Sequence, residues 1–381
     1  MPSADADPHG HTAGRAQVGA DARRAGSSTH RWPRTIAVPP SSVRLVYLDL
    51  NQWIMLSKAM AEHRDGERHR GALEACLGAA TAGSAVFPLS DSTYGEVAKI
   101  GSRRQRRDLR EVMEELSGFY VVMSRPDIAA HEVERLLDDE LGPSPSPVNR
   151  MAYLDRGVAR AFGLVGGFKV YDGKGTDVTD DARDSFPGGP DAFDAAFAEA
   201  QLQLERGVLE GPSSLEEEAQ LRANGWRPGG SVGVDERRLE QETAQVLVFD
   251  SNQYLRRQRL RSVITLRELV IEMNGALSRG LADRGAVLDD LGSTVEERQE
   301  MFDSLPSLDV AVTIKASYHR NPNHPWKVND IYDIDAMGST VPYCDYVVTD
   351  RAVVSHVTRS HLDERLGTKV LATLDELVEE L

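Results

Sequence analysis

Five acids in this chain are placed where they could act together. Asp49 ends the apolar run Val43-Arg44-Leu45-Val46-Tyr47-Leu48, and Asp350 follows the β-branched run Tyr346-Val347-Val348-Thr349. Both stand where a strand pattern gives way to a helical one, which in an open α/β sheet is the carboxyl edge where ligands bind. Glu96 lies at the start of the helix after a second short strand, and Asp330 and Asp333, three apart, share one face of a later helix. Converging carboxylates repel by about 4 kcal/mol per pair at roughly 4 Å and an effective dielectric near 20, so they must bind protons or cations. Mg²⁺ or Mn²⁺, as one or two ions, is the natural partner for an all-oxygen donor set. Such a site suits in-line hydrolysis of a phosphodiester: the cation lowers the pKa of a bound water and stabilises charge on the attacking and leaving oxygens. Each acid also has a plainer explanation as a helix cap or a dipole partner. Thr93 to Glu96 matches a capping box, Asn329 could cap the helix that Asp330 opens, and Asp350 could cap its own.

The elements that would carry these acids alternate in the order of an α/β fold. The near-continuous apolar run from Val43 reads as a buried parallel strand, followed by helices over Asn51 to Ala61 and Glu67 to Ala80. Ser84 to Leu89 is a short strand with Pro88 near its end, where a missing donor is tolerated. The Glu96 helix, a helix over Gln105 to Leu116 and a strand over Phe119 to Met123 follow. The pattern then breaks. Gly142 to Pro147 and Gly166 to Pro190 read as loops, and helices are expected over Asp191 to Leu209, Asp235 to Arg279 and Val295 to Ser304. Alternation resumes with a helix near Leu308 to Tyr318, the acidic helix, strands Tyr346 to Val348 and Lys369 to Leu371, and a closing helix over Thr373 to Leu381. The organisation expected is a disordered tail over residues 1–40, an α/β domain in two parts, 41–124 and 307–381, and a helical insertion with a Gly/Asp-rich loop over 125–306.

The chain has 381 residues, 40% hydrophobic and 27% charged, and a formal charge of -16, which excludes a general nucleic-acid coat protein. Two local Arg clusters run against that balance: Arg103, Arg104, Arg106, Arg107 and Arg110, and Arg256, Arg257, Arg259 and Arg261 beside Tyr254. Each reads either as a solvated helix face or as a grip on phosphates. No apolar run is long enough to span a membrane, and cytoplasm is the default location. The two cysteines, Cys76 and Cys344, have no disulfide or zinc spacing and read as reduced core residues.

On these motifs the sequence resembles a PIN-like nuclease. The resemblance rests on the strand ending Leu48-Asp49-Leu50-Asn51, on Glu96 after the second strand and on the Asp opening a later helix. It continues through Thr349-Asp350-Arg351, Leu366-Gly367-Thr368-Lys369-Val370 and Leu374-Asp375-Glu376-Leu377. It implies a three-layer α/β/α sandwich around a parallel sheet, with Asp49, Glu96, Asp330 and Asp350 as metal ligands. The spacing back from Thr349 equally admits Asp333. Asp345 and Thr349 are lesser candidates, and Asn51 could orient a ligand. The family's usual activity implies an endoribonuclease, with RNA favoured over DNA and with toxins and RNA-processing enzymes among its bacterial members. An antitoxin or self-association would then be the protein partner, and Arg103, Arg104, Arg107, Arg256 and Arg257 would contact substrate.

Two rival readings stand beside it. A phosphatase of the haloacid dehalogenase type needs Asp-x-Asp, and the second position here is Asn51, an amide that cannot transfer the proton. A PIN-like scaffold without activity would keep the sheet and bind without cleaving. His324 and Tyr318-His319-Arg320 could touch substrate, and Trp53 and Trp326 could stack on a base, although core packing also accounts for the two tryptophans.

Overall fold

A computed structural model describes residues 36–37, 42–145, 151–164, 169–223 and 232–381. The expected N-terminal tail lies outside the described residues except for Ile36–Ala37, which pair in parallel with Met151–Ala152.

The sheet is built around β1, Arg44–Leu48. Its neighbours are β2, Ala85–Val86, and, across the other edge, β5, Tyr346–Val348, itself paired with β6, Lys369–Leu371. All three ladders are parallel, and the order is β2-β1-β5-β6. The second strand is shorter than expected, because Pro88 has no N–H for the ladder. Past it, Leu89 turns to β3, Tyr120–Val122, donating to Tyr120 O and accepting from Val122 N, each at 2.9 Å. β3 then pairs antiparallel with β4, Leu154–Arg156, so the insertion adds a strand to this edge that the helical expectation did not contain. The chain leaves β1 toward β2 and leaves β5 toward β6. The gap between the ends of β1 and β5 is therefore the switch point of a doubly wound sheet.

Helices cover both faces. Besides shorter helices such as Leu215–Ala223, Val295–Asp303 and Leu362–Leu366, those that matter here are α1 Leu50–Met60, α2 Arg70–Thr81, α3 Asp91–Val97, α4 Arg103–Ser117, α5 Arg125–Leu141, α6 Pro190–Glu210, α7 Val232–Ser251, α8 Leu260–Glu268, α9 Asn274–Arg284, α10 Pro306–Arg320, α11 Val328–Thr340, α12 Arg351–Arg359 and α13 Leu374–Val378. Alternate strand residues face opposite ways. Val46, Leu48 and Val348 pack with Trp53 and Leu56 of α1, Cys76 of α2, Leu109 and Val112 of α4, and Leu374 of α13. Leu45, Tyr47 and Val347 pack with Val310 and Ile314 of α10, Ile334 and Met337 of α11, and Val353 and Val357 of α12. With helices on both sides, the strands bury both faces, which is why β1 and β5 carry almost uninterrupted apolar sequence. Trp53 is fully buried, so it is a core residue rather than a base-stacking surface.

The insertion shares its core with the sheet domain. Val133 and Leu137 of α5 and Leu308 and Val312 of α10 pack with Phe249 of α7, Ile264 of α8 and Leu277 and Leu281 of α9. The single helix expected over Asp235 to Arg279 is broken. Asn252 accepts from Leu255 N and starts a new turn, and a π-helical turn, Leu269–Met273, interrupts the next stretch. Among the described residues, no helix is long and apolar enough to cross a membrane.

Candidate acidic site at the switch point

The two strand-end acids are both caps and neighbours. Asp49 begins α1 and accepts from Leu50 N at 2.7 Å through Oδ1, while its Oδ2 faces the buried Thr349 hydroxyl at 3.4 Å. Asp350 begins α12 and accepts from Ala352 N and Val353 N at 2.7 and 2.9 Å, both through Oδ1. Thr349 lies between them because β1 and β5 are adjacent, with Leu48 in register with Val348.

Glu96 arrives from α3 and differs from expectation in its place on the helix. The helix starts at Asp91, capped by Ser90 through Thr93 N at 3.1 Å, so Glu96 belongs to its last turn and forms no capping box. Asn329 likewise does not cap α11. Lys327 occupies the cap position, and Asp330 reaches back to accept from Lys327 N at 2.8 Å. The same Asp330 Oδ2 meets His324 Nε2 at 3.0 Å, and the His324 ring stacks on Tyr318 with centroids 4.3 Å apart. His324 and Trp326, both half-buried, thus pack with Tyr318 beside the acids.

Asp333 is the centre of the group. Burial first, and then the charges of Asp49, Asp350, Glu96 and Asp330, push its carboxyl up to about 8. Burial and then Asp49 push Glu96 up to about 7, with Lys99 pulling the other way. Asp49 is raised by burial and by Asp350, against the Leu50 N–H. Asp333 therefore feels the charge of acids from three other elements at one edge as well as that of Asp330 on its own helix. Asp330 is held by a backbone N–H and an imidazole.

The carboxylates sense one another without closing. Among the described residues, no three His, Cys, Asp or Glu side chains come together closely enough to hold one metal ion. The donor chemistry still fits a hard cation. Asp49, Glu96, Asp333 and Asp350 supply only oxygens, and among the described residues none of these four forms an ion pair, whereas Asp330 pairs with His324.

The remaining candidates separate. Asp345 precedes β5 and accepts from Leu45 N at 2.7 Å, which fixes it at the amino edge of the sheet, a strand length from the acids. Asn51 is exposed in the first turn of α1, opening onto a surface groove. Arg103, Arg104 and Arg107 are exposed on the first turns of α4, with Arg104 3.9 Å from Asp108. Arg256 is buried in an ion pair with Asp250 at 2.7 Å and is committed to the fold rather than to a substrate; Arg257 beside it is exposed. The sequence reading missed Lys58, Arg64 and Arg68, which line the groove beside Asn51. Their signal was the helical spacing of Asn51, Ile54, Met55 and Lys58 on one face of α1.

Fold and site together define an α/β protein with a parallel, doubly wound sheet and an acidic cluster at its switch point. The chain matches no protein-family model, no curated protein and no solved structure.

Proposed function

We propose that the protein is a metal-dependent PIN-like nuclease that hydrolyses phosphodiester bonds, with RNA as its substrate and endonucleolytic cut sites. The observation that carries this reading is the placement of Asp49 and Asp350 at the ends of the adjacent strands β1 and β5, with Asp333 near enough to be raised by Asp49, Asp350 and Glu96. Acids that destabilise one another in the free protein are relieved by a partner of opposite charge, and a divalent cation is such a partner. These four would hold Mg²⁺ or Mn²⁺, which when bound supplies an ionised water and stabilises charge on the phosphate. Thr349 orients Asp49, and the two helix caps fix one oxygen of Asp49 and of Asp350, leaving the other for the ligand. His324 and Asp330 border the same edge and would meet the substrate next to the reacting phosphate.

The inactive-scaffold reading draws on a specific observation as well: the carboxylates do not close on a common point, and Asp49 and Asp350 already serve as caps. One experiment separates the two. The purified protein is incubated with labelled single-stranded RNA, single-stranded DNA and duplex in Mg²⁺, Mn²⁺ or EDTA, beside Asp49→Asn and Asp350→Asn. Cleavage of RNA that EDTA and either substitution reduce by about a thousandfold, roughly 4 kcal/mol of lost barrier lowering, is expected. Equal activity in wild type and both variants would refute the assignment. Cation binding without cleavage would establish the scaffold.

A further inference from the structure

An open groove of about 790 Å³ runs along the outer face of α1, beginning at Asn51, two residues from Asp49. We propose that this groove binds the phosphate backbone of a single-stranded nucleic acid on its way to or from the acidic edge. The proposal rests on the nuclease reading for its direction, and on the groove itself for its chemistry.

One wall is the stripe Asn51, Ile54, Met55 and Lys58, spaced so that all four share a helix face. From Asn51 to Lys58 the helix rises about 10 Å, so the groove leads away from the switch point toward the opposite edge of the sheet. The other wall is the 3₁₀ segment Arg64–His69, which supplies Arg64 and Arg68.

This wall is fixed to α1 rather than laid loosely over it. His63 N donates to Lys58 O at 2.9 Å, and Gly66 is buried so tightly that a Cβ there would lie 2.2 Å from the Lys58 carbonyl carbon and 2.3 Å from Ala59 N. Only glycine fits, and it holds the two arginines at a set distance from Lys58.

Charge selects the occupant. Lys58, Arg64 and Arg68 outnumber the two acids that line the groove, Asp65 and Glu67, in a chain whose total is -16. His63 Nδ1 accepts from Asp65 N at 3.1 Å and so caps the segment that carries the two arginines. Arg64 and Arg68 stand four residues, about 8 Å of 3₁₀ rise, apart, which suits a row of phosphates better than a single small anion. Ile54 and Met55, in the α1 wall, give an apolar surface against which a base can lie.

The test is binding of a fluorescein-labelled 12-nucleotide oligouridylate, followed by anisotropy in EDTA so that no cleavage intervenes, with melting curves to confirm folding of each variant. The triple variant Lys58→Gln, Arg64→Gln, Arg68→Gln is expected to bind at least tenfold more weakly. The slope of log affinity against log salt should fall by about 2, since each phosphate contact on a single strand contributes roughly 0.7. Arg279→Gln, an exposed cation of α9 that does not line the groove, should bind as wild type does. An unchanged affinity and slope in the triple variant would overturn the proposal, as would a duplex of equal length binding more tightly than the single strand. The two readings fail separately: groove-dependent binding without cleavage in Mg²⁺ leaves the groove standing and removes the nuclease, and cleavage whose kcat/KM the triple variant leaves unaltered does the reverse.

Discussion

Asp333 and Asp335 lie on the same helix, two residues and about 200° of rotation apart, and their surroundings are opposite. Asp333 faces Asp49, Glu96 and Asp350, and its carboxyl is raised to about 8. Asp335 faces the insertion. Arg125 Nη1 and Arg238 Nη2 donate to its Oδ1 at 2.9 and 2.7 Å, and although burial works against ionisation, these arginines hold its pKa well below the usual carboxylate range. The pairing continues inward: Arg125 to Glu268 at 2.6 Å, Lys315 to Glu268 at 2.6 Å and to Glu242 at 2.8 Å, and His319 to Glu242 at 2.8 Å. Burial alone therefore does not mark a functional acid. The absence of compensating cations sets Asp333 apart, because it leaves a carboxyl that must take up either a proton or a cation.

Breaking the paired side should have the largest effect on stability. Asp335→Ala leaves Arg125 and Arg238 without their shared partner in the interior, and a loss of about 4 kcal/mol is expected. The loss is read from urea unfolding against wild type. A variant as stable as wild type would mean that the network does not hold the insertion to α11.

The contrast between these two acids was not legible in the sequence, for a physical reason. Asp49 and Asp350 could be read because a both-faces-buried strand is a local pattern, apolar and β-branched, and the residue that ends it must lie at the sheet edge. Asp333 was visible as an acid on the right helix, but its central place follows from the packing of α11 against the sheet. The ion network was invisible: Arg125, Glu242, Glu268, Lys315 and Asp335 sit on five helices, and each alone looks like a solvated face. For the same reason Arg256 and Arg257 read alike, though one is buried against Asp250 and the other is exposed. β4 was missed because only Leu154 in Leu-Asp-Arg is apolar, so its pairing depends on β3 and not on its own pattern.

A smaller effect follows from pH. Burial opposes ionisation of Glu268, but Lys315 and Arg125 outweigh it and bring the carboxyl down to about 2. A depressed carboxyl contributes stability that is complete above its unfolded value near 4.3 and is lost as pH falls toward the folded one. Glu242 and Asp335 shift the same way. The network's contribution to the melting temperature should hold between pH 7 and 5 and drop steeply below about 4, with roughly 3 kcal/mol at stake for Glu268. A transition centred above pH 5 would mean that the network is not ionised in the native state.

The smallest effect has the opposite sign and sharpens the comparison most. In EDTA the folded protein keeps a proton on Asp333 up to about pH 8, whereas the unfolded chain loses it near pH 4. Rising pH therefore favours the unfolded state through this group, because the native state binds more protons. Asp333→Asn removes that penalty and should raise stability at pH 7, with a gain that grows between pH 5 and 8. The same substitution should abolish the stabilisation that Mg²⁺ or Mn²⁺ gives the wild type, measured as a shift in melting temperature. A variant less stable than wild type in EDTA would show that Asp333 is held by compensating partners, as Asp335 is, and the distinction between the two sides of α11 would disappear.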